Sequence, residues 1–296
     1  MNSPAIETER LSKVYRSGRG IRELNLTVEH GEVFGFLGPN GAGKTTTIRT
    51  LTGFLHPTGG TARILGLDIE SQSLEIRRRI GNLPDDYSFD EKTTGSETLK
   101  FFSKVRRITD DSYANELSER FSADLDTRIS QLSRGNRQKI ALILTMFHQP
   151  ELLIFDEPTG GLDPLMQDAF ASIVDEWRGE GRTVFISSHD LSEVERMCDR
   201  VGIIRDGQLV AIERVDDLIQ HSLREVSITF AGPPDAAQFT RIPGVSDLTA
   251  DGHTLSFRVS KSVDAVLKAA ASHEVVDLEV KHPSLEEIFL TFYGDD

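Results

Sequence analysis

The run Gly38-Pro-Asn-Gly-Ala-Gly-Lys44-Thr45, directly behind the apolar stretch Val33–Leu37, limits the folds open to this chain more than any other feature. It fits G-x-x-x-x-G-K-[ST] in full. Gly38, Gly41 and Gly43 let backbone N–H groups turn inward and form a nest for anions. The stretch Thr45–Leu51 reads as a helix whose positive end points at the same place. Asn40 and Thr46 belong to the same loop and are assigned to phosphate binding with it. Leu152–Phe155 and Thr183–Ser187 are further short apolar stretches, each ending in a polar or charged turn. Strands apolar on both faces imply a parallel sheet covered by helices, hence an α/β fold.

The texture changes twice along the chain. Between about 84 and 150 no convincing apolar strand occurs, whereas Ser96–Arg107 and Asp111–Phe121 carry apolar residues at helical spacing; this reads as a helical insertion in the α/β domain. After Leu218 strand alternation returns. Glu225–Phe230, Val245–Ala250, Thr254–Val259 and Val275–Val280 read as strands, with Asp251-Gly252 marking a hairpin. Helices are expected at Asp235–Thr240, Ser262–Ser272 and Ser284–Phe292, the last with Ser284 and Glu287 as a capping box. The order βαββαβ is ferredoxin-like. The expected domains are 1–218 and 225–296.

Net charge is −14, from 33 Lys and Arg against 47 Asp and Glu, so nucleic acid is not an expected partner. Cys198 is the only cysteine, which excludes an internal disulfide and fits a reducing compartment; it reads as a buried bystander. The N-terminal MNSPAIETERLSKVY lacks the apolar core of a secretory leader. The longest apolar run, Ile140–Phe147, is far short of the ~20 residues of a membrane-spanning helix, so any membrane role is expected to come through another chain.

The remaining chemistry sits at strand ends. Lys44 supplies a point charge for the β- and γ-phosphates of a nucleotide, and Thr45 an oxygen for Mg²⁺. Leu152-Leu-Ile-Phe-Asp156-Glu157 ends in two carboxylates: Asp156 suits the surroundings of the metal, and Glu157 a water-activating position beside the γ-phosphate.

With these residues in place, Leu132-Ser133-Arg134-Gly135-Asn136 resembles the LSGGQ signature of ATP-binding cassette (ABC) ATPases. Arg134 and Asn136 depart from its consensus in the way of the subfamily that works with ABC-2-type permeases. The resemblance covers about residues 5–218. It implies a RecA-like P-loop NTPase core with the inserted helical subdomain, plus the small C-terminal α+β domain. It assigns Tyr15 to adenine stacking, His189 to a γ-phosphate contact, Pro158–Asp163 to contacts between two cassettes, and Ser133 and Gly135 to the site of a second subunit. The family's Q-loop glutamine, which approaches the metal, aligns with Asp85, an anion where the family has a neutral amide. Pro283–Phe289 resembles the ending of drug- and polysaccharide-exporter ATPases.

The resemblance therefore implies an ATPase using ATP and Mg²⁺, dimeric as a homo- or heterodimer, and bound at the cytoplasmic face of the membrane through an ABC-2-type permease. Two alternatives are weighed against it. A soluble ABC ATPase acting on DNA or ribosomes would carry a long coiled coil or two cassettes, and neither is present. A regulatory module without turnover finds support in Asp85, but not in the intact Lys44, Asp156, Glu157 and His189.

Overall fold

The computed structural model describes residues 3–221, 224–260 and 263–281. The chain divides into two compact units, Met1–Glu213 and Arg214–Asp296.

In the first unit, six strands form one sheet in the order β10-β9-β3-β8-β7-β6. They are β3 (Val33–Leu37), β6 (Ile80–Leu83), β7 (Leu152–Asp156), β8 (Thr183–Ser188), β9 (Arg200–Arg205) and β10 (Gln208–Arg214). The pairs β6/β7, β7/β8, β8/β3 and β3/β9 are parallel. Every residue of β3, β7 and β8 is buried, as expected of strands covered on both faces. The register sets Leu83 beside Phe155, Asp156 beside Ser187 and Leu37 beside Ser188. The C-terminal ends of four strands therefore share one edge, and the loops leaving them converge where open α/β sheets bind ligands.

Helices α1 (Lys44–Leu51), α2 (Ser73–Arg79), α6 (Pro164–Gly179) and α7 (Leu191–Met197) belong to this unit. Asp163 caps α6 by accepting the Met166 N–H at 3.0 Å, with Pro164 in the first turn. Cys198 follows α7 and is buried, and burial pushes its thiol pKa up, so it is an inert core residue.

A second sheet, absent from the sequence reading, is antiparallel in the order β2-β1-β4-β5. It comprises β1 (Ile6–Val14), β2 (Gly20–Val28), β4 (Gly59–Ile64) and β5 (Leu67–Asp68). The register of β1 against β2 shifts between Thr8 and Leu11 and again between Leu11 and Lys13. These bulges break the alternation of apolar and polar residues by which such strands are recognised. Leu11, Leu24, Leu26, Val28 and Ile64 nevertheless pack into one core with Phe34, Phe36 and Phe185 of the main sheet.

Between β6 and β7 the described structure is helical: α3 (Gly95–Arg106), α4 (Ser112–Arg120), a short 3-10 turn Ile129–Gln131 and α5 (Arg134–Met146). One isolated bridge, Thr94 to Arg128, is the exception among the described residues. Thr94 and Glu97 cap α3 reciprocally, side chain to backbone in both directions.

The second unit has α8 (Val215–His221), β11 (Arg224–Phe230), α9 (Ala236–Thr240), β12 (Val245–Asp251), β13 (Thr254–Val259), α10 (Asp264–Ala270) and β14 (Val275–Lys281). Its sheet runs β12-β13-β11-β14 with every neighbouring pair antiparallel, the ferredoxin-like arrangement. Val226, Ile228, Phe230, Phe239, Leu255, Phe257 and Val266 make its core. The helix expected at Ser284–Phe292, with its capping box, lies outside the described residues.

Candidate nucleotide-binding and hydrolysis site

The loop from Gly38 to Gly43 leaves the buried strand β3 and enters α1. Gly43 sits at the helix start with φ +117°, and a Cβ there would lie 2.9 Å from Ile21 Cγ2. At Gly38 a Cβ would come within 2.5 Å of the Ile204 carbonyl oxygen. Both positions exclude larger residues on steric grounds, and Gly43 on backbone conformation as well. Lys44 is only 6% exposed. Its Nζ donates to the Gly38 carbonyl at 2.6 Å and lies 3.2 Å from Glu157 Oε1.

Glu157 follows β7 with φ +53°, a left-handed conformation uncommon for glutamate. Its N–H donates to the Ser187 carbonyl at 3.1 Å, which ties the turn to β8. The other carboxylate oxygen, Oε2, is 2.7 Å from Nδ1 of His189, whose side chain is 62% exposed. Glu157 thus joins Lys44 to His189 at the head of the loop.

Asp156 is 1% exposed. Its Oδ1 accepts the Ser187 hydroxyl at 2.5 Å, while Oδ2 is buried with no hydrogen-bond partner. Burial raises the Asp156 carboxyl pKa; the Ser187 and Thr45 hydroxyls oppose the rise, and the charges of Asp85 and Glu157 add to it. A buried carboxylate with one oxygen unspent, beside a threonine hydroxyl, fits a divalent cation. Among the described residues no three or more His, Cys, Asp and Glu side chains form a metal cluster of their own, so phosphate oxygens would have to complete the ligand set.

Two cavities open on this edge. The smaller, about 160 Å³, is lined by Asn40, Gly41, Gly43, Lys44, Thr45 and Thr46 together with Asp85 and Glu157. The larger, about 530 Å³, shares Asn40, Asp85 and Glu157 with it and adds Asp156, His189, Tyr87, Arg134, Arg137 and Gln138. The structure therefore gathers Lys44, Thr45, Asp85, Asp156, Glu157 and His189 around one place. Tyr15, just past β1 and 39% exposed, lines neither cavity; Lys13 Nζ lies 5.9 Å from its ring centre.

Ser133 and Gly135 also line neither cavity of their own chain. Ser133 caps α5 by accepting the Asn136 N–H at 3.2 Å. A Cβ at Gly135 would lie 2.9 Å from the Gly161 carbonyl, and the Arg134 side chain lies against Gly161. The signature loop is thereby packed on the Pro158–Asp163 segment.

Several site residues carried no role in the sequence reading. Gln138 is buried in α5; its Nε2 donates to the Pro158 carbonyl at 2.5 Å, and its Oε1 accepts the Tyr87 hydroxyl at 2.7 Å. Its signal was available: Gln138 falls on the same helix face as Ala141, Leu142 and Thr145, a polar residue in a buried stripe. Glu193 and Thr159, by contrast, meet across two loops and share no local pattern.

A parallel sheet with a glycine-rich phosphate loop, two carboxylates at the neighbouring strand end, and a helical insertion capped by Leu132–Asn136 define a P-loop ATPase of the ABC type. A family model described as "ABC transporter" matches residues 21–160, and one described as "ATP-binding protein DrrA1-3-like, C-terminal domain" matches residues 217–293. The linearmycin resistance ATP-binding protein LnrL of Bacillus subtilis is 30% identical over 98% of both chains. The daunorubicin resistance ATP-binding protein DrrA3 of Streptomyces coeruleorubidus is 32% identical over 100% of this chain and 98% of its own. The bacitracin transport ATP-binding protein BcrA of Bacillus licheniformis is 39% identical over 70% of this chain and 69% of its own. A solved ATP-binding subunit of an ABC transporter superposes with a TM-score of 0.67 at 28% identity, covering 72% of this chain and 91% of that one. The chain belongs to the ATP-binding subunits of ABC transporters, with a DrrA-like C-terminal domain. It is an ATPase that works with a membrane permease. Among the described residues no helix is long and apolar enough to cross a membrane.

Proposed function

We propose that this subunit drives export through an ABC-2-type permease, bound to it at the cytoplasmic face of the membrane. The names of its relatives motivate the direction: linearmycin and daunorubicin resistance, bacitracin transport, and a fluoroquinolone export protein of Mycobacterium tuberculosis, 30% identical over 93% of this chain. The observation that carries the mechanistic reading is the Lys44–Glu157–His189 chain at the mouth of the phosphate loop.

In this reading Gly38–Thr46 holds the phosphates of ATP, with Lys44 leaving Glu157 to reach the β- and γ-phosphates. Thr45 and Asp156 would hold Mg²⁺, with Asp85 in the wall beside them; when bound, the ion neutralises charge on the phosphate oxygens. Glu157, released from Lys44, accepts a proton from the attacking water, and His189 contacts the γ-phosphate from the opposite side. Tyr15 stacks on adenine. Ser133 and Gly135, which line neither cavity of their own chain, complete the site of a second subunit from the N-terminal end of α5, where anions are favoured. The second unit, with no group of catalytic side chains among its described residues, supports pairing or coupling. The test is transport by vesicles holding the subunit and its permease. ATP added outside inverted vesicles, where the cytoplasmic face is exposed, should drive accumulation of a drug in their lumen, and Glu157→Gln should abolish it. Accumulation independent of ATP would refute the proposal.

A further inference from the structure

The two loops whose side chains meet as Glu157 and His189 are also joined behind the site. Glu193 lies in the first turn of α7, and one of its carboxylate oxygens accepts the Thr159 hydroxyl. The other accepts the Ser188 hydroxyl at 2.8 Å. Ser188 Oγ in turn accepts the Asp190 N–H at 2.9 Å. Ser188 and Asp190 flank His189, and Thr159 stands two residues after Glu157. Both hydroxyls belong to buried residues, Thr159 at 6% and Ser188 at 0% exposure. Glu193 lines neither cavity.

We infer that Glu193 is a positioning residue that holds the Glu157 and His189 loops in register, coupling the Pro158–Asp163 segment to the imidazole. The ionised carboxylate accepts one hydroxyl on each oxygen; an amide in its place presents one oxygen and one N–H donor, so one partner must turn around. A carboxylate kept half-buried beside the negative charges of Asp190 and Glu157 costs free energy, and ordinary helix capping does not require that cost, since Asp190 already caps α7 by accepting the Ser192 N–H at 2.9 Å. From the other side the segment is fixed at Pro158 by Gln138, itself held by Tyr87. A displacement of Pro158–Asp163, the part assigned to inter-subunit contact, would therefore reach His189 through Thr159, Glu193 and Ser188. This inference rests on the catalytic reading of Glu157 and His189.

The test is steady-state ATP hydrolysis by the full-length subunit with its permease, comparing Glu193→Ala, Glu193→Gln, Thr159→Val and the double variant Glu193→Ala/Thr159→Val. Glu193→Ala should lower kcat about tenfold or more with KM for ATP within about twofold, because the loss falls on geometry in the transition state rather than on binding. Thr159→Val should cost several-fold, the double variant no more than Glu193→Ala alone, and Glu193→Gln should recover part of the rate. In protein carrying labelled histidine, the His189 imidazole resonance should move in Glu193→Ala and stay in place in Glu195→Ala, a change of an exposed residue two positions on. A kcat within twofold of the parent in Glu193→Ala, additive losses in the double variant, or an unmoved His189 resonance would overturn the inference. Glu157→Gln and His189→Ala run in parallel separate the two failures. If these retain turnover the catalytic reading falls, and if they lose it while Glu193→Ala does not, the clamp alone falls.

Discussion

Replacing Glu157 by Gln removes one charge and leaves size unchanged, so it isolates what that charge does. The carboxylate lies 3.2 Å from Lys44, with both side chains largely withdrawn from water. At an effective dielectric of about 20 the pair's gross attraction is about 5 kcal/mol, most of it offset by the desolvation of both ions. ATP must displace Glu157 from Lys44, and the carboxylate then faces the γ-phosphate as a like charge. Both effects oppose binding, and both diminish in the amide. If about a quarter of the gross attraction is recovered, Mg²⁺-ATP should bind about tenfold tighter, since ~1.4 kcal/mol is a factor of ten. Turnover should move the other way: an amide cannot take the water's proton, and general-base contributions are typically ~10²–10⁴ in rate. Calorimetry with ATP and a phosphate-release assay on the same preparations measure the two effects. Weaker ATP binding would refute the competition for Lys44, and turnover near the parent rate would refute the assignment of the base.

Asp156→Asn should weaken Mg²⁺-ATP binding more than metal-free ATP binding, read by titration with and without chelator, because it discharges the carboxylate whose Oδ2 is unspent. Burial, aided by the charge of Arg106, lowers the His148 pKa to about 4. Its share of stability is therefore complete above pH ~6.5 and lost as pH falls toward 4, an effect of about 3 kcal/mol, and His148→Gln should flatten this acid limb in denaturant melts. Cys198 should resist a thiol reagent at pH 8 until the protein is unfolded. Truncation after Glu213 should leave ATP binding intact and reduce assembly or transport, measured in the reconstituted complex.

What could be read in advance follows from how local the determining physics is. β3, β7 and β8 are apolar throughout because both faces are covered, and they stand out in the sequence for that reason. Asp251-Gly252 announces the β12–β13 hairpin through turn chemistry alone. The antiparallel sheet escaped because the bulges in β1 scramble its period. Helix α3 begins at Gly95, a residue before the expected start, since Thr94 and Glu97 form the cap; the T-x-x-E spacing is the sequence signal for that boundary. In the site, Asp156, Glu157 and His189 stand at or just past strand ends and Lys44 at the helix start behind the glycine-rich loop, so all four betray themselves by position. Gln138 is legible only as a polar residue in the buried stripe of α5, whereas Glu193 acts on Thr159, 34 residues away, and no local pattern reveals it.

The central claim is a composite site, made from the phosphate loop of one subunit and the signature loop of another. Complementation between two inactive chains tests it most directly. Lys44→Ala removes the phosphate-loop charge and Ser133→Arg blocks the signature loop, so each protein alone should lack ATPase activity with its permease. Mixed before assembly, the two should form heterodimers in which one site joins an intact Lys44 to the partner's intact Ser133. Equal mixing should recover about a quarter of the parent rate, from half the dimers with one working site of two. Recovery of this order is the predicted result. A mixture as inactive as its parts, or a Ser133→Arg protein that hydrolyses ATP at the parent rate by itself, would contradict the account.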